Sequence, residues 1–117
     1  MAENKLADIS TEFAVKILNV TDGIKGHYSL SNQLERSGTS IGANIREAKY
    51  AHSKADFFAK LQIFLKECYE TEYWMELLFE TGYISENVYK PLQNQCGQIR
   101  RMLISSLNTT KANQTNK

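Results

Sequence analysis

Residues 33–82 read QLERSGTSIGANIREAKYAHSKADFFAKLQIFLKECYETEYWMELLFETG. Two helical patterns lie in this stretch, the first paved with small side chains and the second with aromatics. In the first, Leu34, Gly38, Ile41, Ile45, Ala48 and His52 recur at the three-and-four spacing of one helix face, flanked by Ser37, Ser40, Gly42 and Asn44. An interior glycine costs a helix roughly 1 kcal/mol against alanine, so Gly38 and Gly42 imply the close approach of something large. In the second pattern Phe57, Leu61, Phe64, Leu65, Cys68, Met75, Leu78 and Phe79 form the apolar stripe. Between the two, Ser53-Lys54-Ala55-Asp56 fits a capping box, with the Ser53 hydroxyl accepting from the amide three residues on and Asp56 reaching back. Gly82 closes the second helix as a left-handed cap.

If the chain turns back at Ser53, the antiparallel register sets Gly38 near Cys68 and Tyr69, Ile45 near Leu61, and Arg36 near Glu70 or Glu72. Small side chains then pack on large ones. Glu72 stands in the apolar stripe, and Arg36 is the counter-ion this register offers, a structural ion pair rather than a functional acid. The G-x-x-x-G spacing of Gly38 and Gly42 is no membrane signal, because Arg36, Arg46, Glu47 and Lys49 interrupt it long before about 20 apolar residues accumulate.

Working outward, Leu6, Ile9, Phe13, Ile17, Val20 and Ile24 mark a preceding helix that ends near Gly26. Ser29 or Ser31 caps the helix that follows. Downstream, Ser85 caps a last helix carrying Val88, Leu92, Cys96, Ile99, Leu103 and Leu107, with Pro91 inside it predicting a kink or a short first segment. After Asn108 no apolar residue larger than alanine occurs, which predicts a disordered tail over 109–117. Helices over about 4–25, 29–51, 54–81 and 86–108 with short connections predict an all-α, antiparallel up-down-up-down four-helix bundle in one domain.

The 117 residues carry a formal net charge of +1, 42% apolar and 23% charged side chains, an ordinary balance that by itself neither recruits nor repels nucleic acid. Cys68 and Cys96 both fall on apolar stripes, so buried thiols in a reducing compartment are the default, and a disulfide between them stays open. No signal peptide or transmembrane run is read, which gives a cytoplasmic expectation and no membrane partner.

No reactive constellation is visible. The Glu-x-x-His pairs of a di-iron bundle are missing, since Ile24 precedes His27 and Lys49 precedes His52 at that spacing. His27, His52, Cys68 and Cys96 have no zinc-like spacing, and Gly38-Thr39-Ser40-Ile41-Gly42 lacks the Gly-Lys-Ser/Thr ending of a phosphate loop. The expectation is therefore no enzyme, no catalytic residue, no metal and no cofactor. Basic residues gather modestly: Arg46, Lys49, Lys54 and Lys60 near the turn between the second and third helices, and Arg100 and Arg101 on the fourth. These six are the candidate nucleic-acid contacts, and a ring-shaped oligomer would repeat them into a continuous surface. Val15, Leu18, Tyr69, Tyr73 and Trp74 lie off the core stripes as surplus apolar surface and are the candidate oligomer interface.

The runs Arg36 to Ala48 (RSGTSIGANIREA), Ser53 to Phe57 (SKADF) and Leu65 to Trp74 (LKECYETEYW) resemble the four-helix-bundle proteins related to those encoded in intervening sequences of bacterial 23S ribosomal RNA, a superfamily that includes the accessory variability determinant of diversity-generating retroelements. The resemblance covers nearly the whole ordered chain. It implies a bundle assembled as a barrel-like homopentamer and, through the retroelement relatives, binding of RNA or DNA and of a protein partner. It brings no catalytic residues. Asn44 and Glu47 belong to the shared signature and read as structural, Asn44 bonding across to the third helix and Glu47 pairing with Lys60. Two functions follow as expectations: an oligomeric, non-enzymatic nucleic-acid-binding accessory protein, or a scaffold that binds protein alone.

Overall fold

The structure, a computed structural model, describes the backbone of residues 2–115 and the side chains of residues 5–109. It contains α1 (Ala2–Asp22), α2 (Tyr28–Ala48), α3 (Lys54–Glu80) and α4 (Glu86–Thr115), and no strand among the described residues. The molecule is a rod of 51 × 21 × 20 Å. Each helix packs against the one before it and α4 closes the ring on α1, while the diagonal pairs α1–α3 and α2–α4 bring no Cα atoms within 8 Å of each other among the described residues. Ile17 lies against Gly38 and Ser10 against Gly42, so α1 and α2 run antiparallel. Phe79 stacks on Tyr89 and the Cys96 thiol points at the Cys68 carbonyl, so α3 and α4 are antiparallel as well.

The apolar stripes meet along the axis. Phe13, Ile17, Leu34, Ile41, Leu61, Phe64, Met75, Leu78, Ile99 and Leu103 are almost wholly buried, and at about 1.5–3 kcal/mol per large side chain they supply most of the driving force. One polar link crosses this core: the hydroxyls of Ser37 and Thr71 share a 2.9 Å hydrogen bond between α2 and α3, and Thr71 also lies 2.7 Å from the Glu67 carbonyl. Pairing of this kind offsets the cost of taking a hydroxyl out of water.

Helix ends follow local chemistry. At α3, the Ser53 side chain accepts from the Asp56 amide at 3.0 Å, and Asp56 Oδ2 accepts from the His52 amide at 3.0 Å, one residue beyond the cap itself. Its C-terminus is a Schellman turn: Gly82 at φ 83° bonds back to Phe79 and Tyr83 to Leu78. Other boundaries move. α1 stops at Asp22, before Gly26, and α2 starts at Tyr28 rather than after Ser29 or Ser31. Its N-cap is His27, left-handed at φ 43° with no side-chain cap bond and its ring edge-on to Tyr83 at 4.9 Å. Gly26 at φ 89° completes the reversal, and the helix begins as soon as the backbone allows. α2 ends at Ala48, short of Ala51. α4 is not divided at the exposed Pro91, and it continues to Thr115 rather than giving way to a tail at 109, since no glycine or proline stops it there. Residues 116–117 of the expected tail lie outside the described residues.

Four expected contacts are replaced. A Cβ on Gly38 would meet Ile17 of α1 at 3.0 Å, and one on Gly42 would meet Ser10 at 3.7 Å, so the small face of α2 receives α1 and not the Cys68–Tyr69 region of α3. Glu72 pairs with Arg100 of α4 at 2.8 Å and not with Arg36, because it sits on the α4 side of the α3 stripe. Asn44 donates to the Ser40 carbonyl of its own helix at 2.9 Å rather than crossing to α3. Lys60 pairs with Asp56 one turn earlier at 3.8 Å, and Glu47 is exposed; a neighbour on the same helix outcompetes one across the turn.

Candidate nucleic-acid interface and apolar surfaces

The α2–α3 connection is a short, heavily bonded tip. The amides of Lys49, Tyr50 and Ala51 bond to the carbonyls of Arg46, Glu47 and Ala48 at 3.2, 3.0 and 3.2 Å, tightening the end of α2. The Ser53 cap and the His52–Asp56 bond fix the start of α3. On this frame Arg46, Lys49 and Lys54 are all exposed at one end of the rod, with Glu47 as the acid among them. Arg46 Nη2 donates to Thr11 Oγ1 at 3.3 Å, anchoring its guanidinium over α1. Lys60 lies on the same flank with its charge shared by Asp56.

Arg100 and Arg101 form no continuation of this set. Arg100 donates to both Glu72 oxygens, at 2.8 and 3.3 Å, and its guanidinium lies 5.4 Å from the Tyr69 ring centre. The hydrogen bond to Glu72 raises its pKa further, against the opposing effect of burial. Arg100 is thus a structural cation. Arg101 is exposed beside Gly97. Glu72 lies 18 residues along α3 from Lys54, about 27 Å at 1.5 Å per residue, so the fold separates the two basic sets.

Apolar side chains remain on two outer faces. Val15 and Leu18 are exposed on α1, and Ile63, Tyr69 and Tyr73 on α3. Because α1 and α3 occupy opposite corners of the bundle, these surfaces face away from each other. Trp74 behaves differently: it packs against the core, 5.3 Å from the Tyr73 ring, and its Nε1 is buried with no hydrogen-bond partner.

The buried polar groups carry no reactive arrangement. Cys68 and Cys96 are both free and fully buried; the Cys96 thiol donates toward the Cys68 carbonyl at 3.7 Å, and its interaction with Cys68, with burial second, holds its pKa far above the thiol range. Such thiols are poor nucleophiles. The Glu67 carboxyl is pushed up by burial first and by Glu70 second, partly offset by Arg36 and Lys66, and its Oε2 is buried without a hydrogen-bond partner. Among the described residues no three His, Cys, Asp or Glu side chains converge as a metal site, and no helix is long and apolar enough to cross a membrane. Sequence reasoning passed over Tyr50, which is 82% exposed at the basic tip. The signal was present: an aromatic off every core stripe, one residue after Lys49.

The profile of the 23S rRNA-intervening sequence protein family matches residues 2–105. No curated protein matches. The crystal structure of a protein of unknown function from the S23 ribosomal protein family of Bacteroides thetaiotaomicron superposes with a TM-score of 0.87 at 48% identity, over 92% of this chain and 99% of that one.

Proposed function

The chain belongs to the 23S rRNA-intervening sequence protein family, and from that premise we propose that it is a non-enzymatic, oligomeric accessory protein that binds RNA or DNA. The observation that carries the reading is the clustering of Arg46, Lys49 and Lys54 on one rigid end of the bundle, with Lys60 beside them. A single protomer of net charge +1 would hold a polyanion weakly. Assembly changes this. The apolar faces on α1 and α3 are different surfaces on opposite corners, the arrangement of a heterologous, head-to-tail contact that closes into a ring and repeats the basic tip around the axis. A barrel-like homopentamer is the ring we favour, on the likeness to the retroelement accessory proteins. Exposed tyrosines and aliphatics suit such an interface.

The test is fluorescence anisotropy of labelled structured RNA and duplex DNA against salt. Phosphate contacts give a steep fall of affinity with salt, and Lys54→Ala lowers the log-log slope by about one. Sedimentation measures the assembly in parallel: Leu18→Glu or Tyr73→Glu reduces the mass toward that of one chain. An absence of binding at low salt by an intact oligomer replaces this reading with the protein scaffold, for which the same apolar faces and charged surface would serve.

A further inference from the structure

We propose that Tyr50 is a base-stacking platform and that the α2–α3 tip takes nucleic acid with unpaired bases; this rests on the nucleic-acid reading above and narrows its ligand. Tyr50 is the most exposed of the large apolar residues, at 82%. Its situation differs from that of the exposed tyrosines on α3, since the Tyr69 ring lies under Arg100 and the Tyr73 ring against Trp74. The Tyr50 ring is presented to solvent while its backbone is held. Its own amide bonds to the Glu47 carbonyl, and Lys49 and Ala51 on either side are bonded back into α2. The ring therefore needs only its own two side-chain torsions ordered when a flat partner arrives, a small entropic cost.

The chain on either side of Tyr50 carries exposed cations of the kind that take phosphates. Arg46 stands one turn before Tyr50, Lys49 next to it and Lys54 just beyond, with the exposed imidazole of His52 between. Exposed aromatics set among cations are the arrangement by which proteins hold single strands without reading sequence, each base stacking on a ring while its phosphates face the cations. A duplex keeps its bases stacked inside and leaves such a ring unused. The expected ligand is thus an unpaired strand, loop or end.

The experiment uses the full-length protein with labelled oligouridylate RNA, oligothymidylate DNA and a duplex of equal length, at physiological salt. Tyr50→Ala is expected to weaken both single strands about tenfold, since one stacked base contributes roughly that much. Duplex affinity and the salt slope stay unchanged, and Tyr50→Phe binds like the parent protein. An unaltered melting temperature confirms that the exposed substitution leaves the fold intact. Should Tyr50→Ala bind single strands normally while Lys49→Ala and Lys54→Ala weaken them, stacking is refuted and the phosphate reading stands. Equal loss on duplex and single strands also overturns the proposal. Failure of every probe to bind removes the wider nucleic-acid reading together with this one.

Discussion

Replacing Gly38 with alanine sets two effects of opposite sign against each other, and Gly42 provides the control in the same helix. In each case the new methyl removes the helix penalty of glycine, a gain of about 1 kcal/mol. At Gly42 the added carbon meets Ser10 atoms no closer than 3.7 Å, an ordinary contact, so the gain survives. At Gly38 it meets Ile17 Cγ2 at 3.0 Å and Cγ1 at 3.1 Å. Ile17 is fully buried and β-branched, so it has no other rotamer to retreat into. Overpacking of this kind costs about 1–3 kcal/mol; taking about 2 leaves a net loss near 1 kcal/mol. The two variants should differ by about 2 kcal/mol, or roughly 8 °C at about 4 °C per kcal/mol for a domain of this size. Thermal unfolding at one fixed protein concentration reads the difference and keeps any association constant. Ile17→Ala removes both carbons that the new methyl would strike, so in that background Gly38→Ala should become stabilising. A Gly38→Ala protein that melts as high as Gly42→Ala, with no change of sign in the Ile17→Ala background, would refute the close α1–α2 approach.

Glu72→Ala, by removing the partner of a partly buried guanidinium, should cost about 1–3 kcal/mol, whereas Arg36→Ala at an exposed site should stay within about 0.5 kcal/mol; similar losses for both would argue for the Arg36 pairing instead. Glu67 has its folded-state pKa raised by burial, so its contribution to stability is fully present below the ordinary carboxylate range and lost as pH rises through the folded value. Glu67→Gln should accordingly raise the melting temperature at neutral pH and not below about pH 4, and a benefit equal at both pH values would count against burial as the cause. Gly82→Ala has no atom within 4 Å to strike, yet at φ 83° it should cost about 1–2 kcal/mol from backbone strain alone, and Ser53→Ala about 1 kcal/mol from the lost cap; chemical denaturation measures both.

What residue order determined by itself is everything local or periodic. Spacing at three and four places Leu34, Ile41, Leu61, Phe64, Ile99 and Leu103 on buried faces, because a helix carries that period whatever surrounds it. Ser53 and Gly82 mark the ends of α3 because capping needs only a few consecutive residues. Short links make consecutive helices antiparallel, and the apolar faces of α1 and α3 were legible as surplus beyond one stripe. The partners were not. Periodicity says that Gly38 and Glu72 lie near a buried face but leaves open which of two flanking helices each one meets, and a rotation of a few tens of degrees about the helix axis exchanges one neighbour for the other. Only packing of all four helices sets that rotation. It sends Ile17 of α1 into the glycine notch, turns Glu72 toward Arg100, parts the two basic sets by about two thirds of the length of α3, and leaves Tyr50 standing in solvent near Lys49.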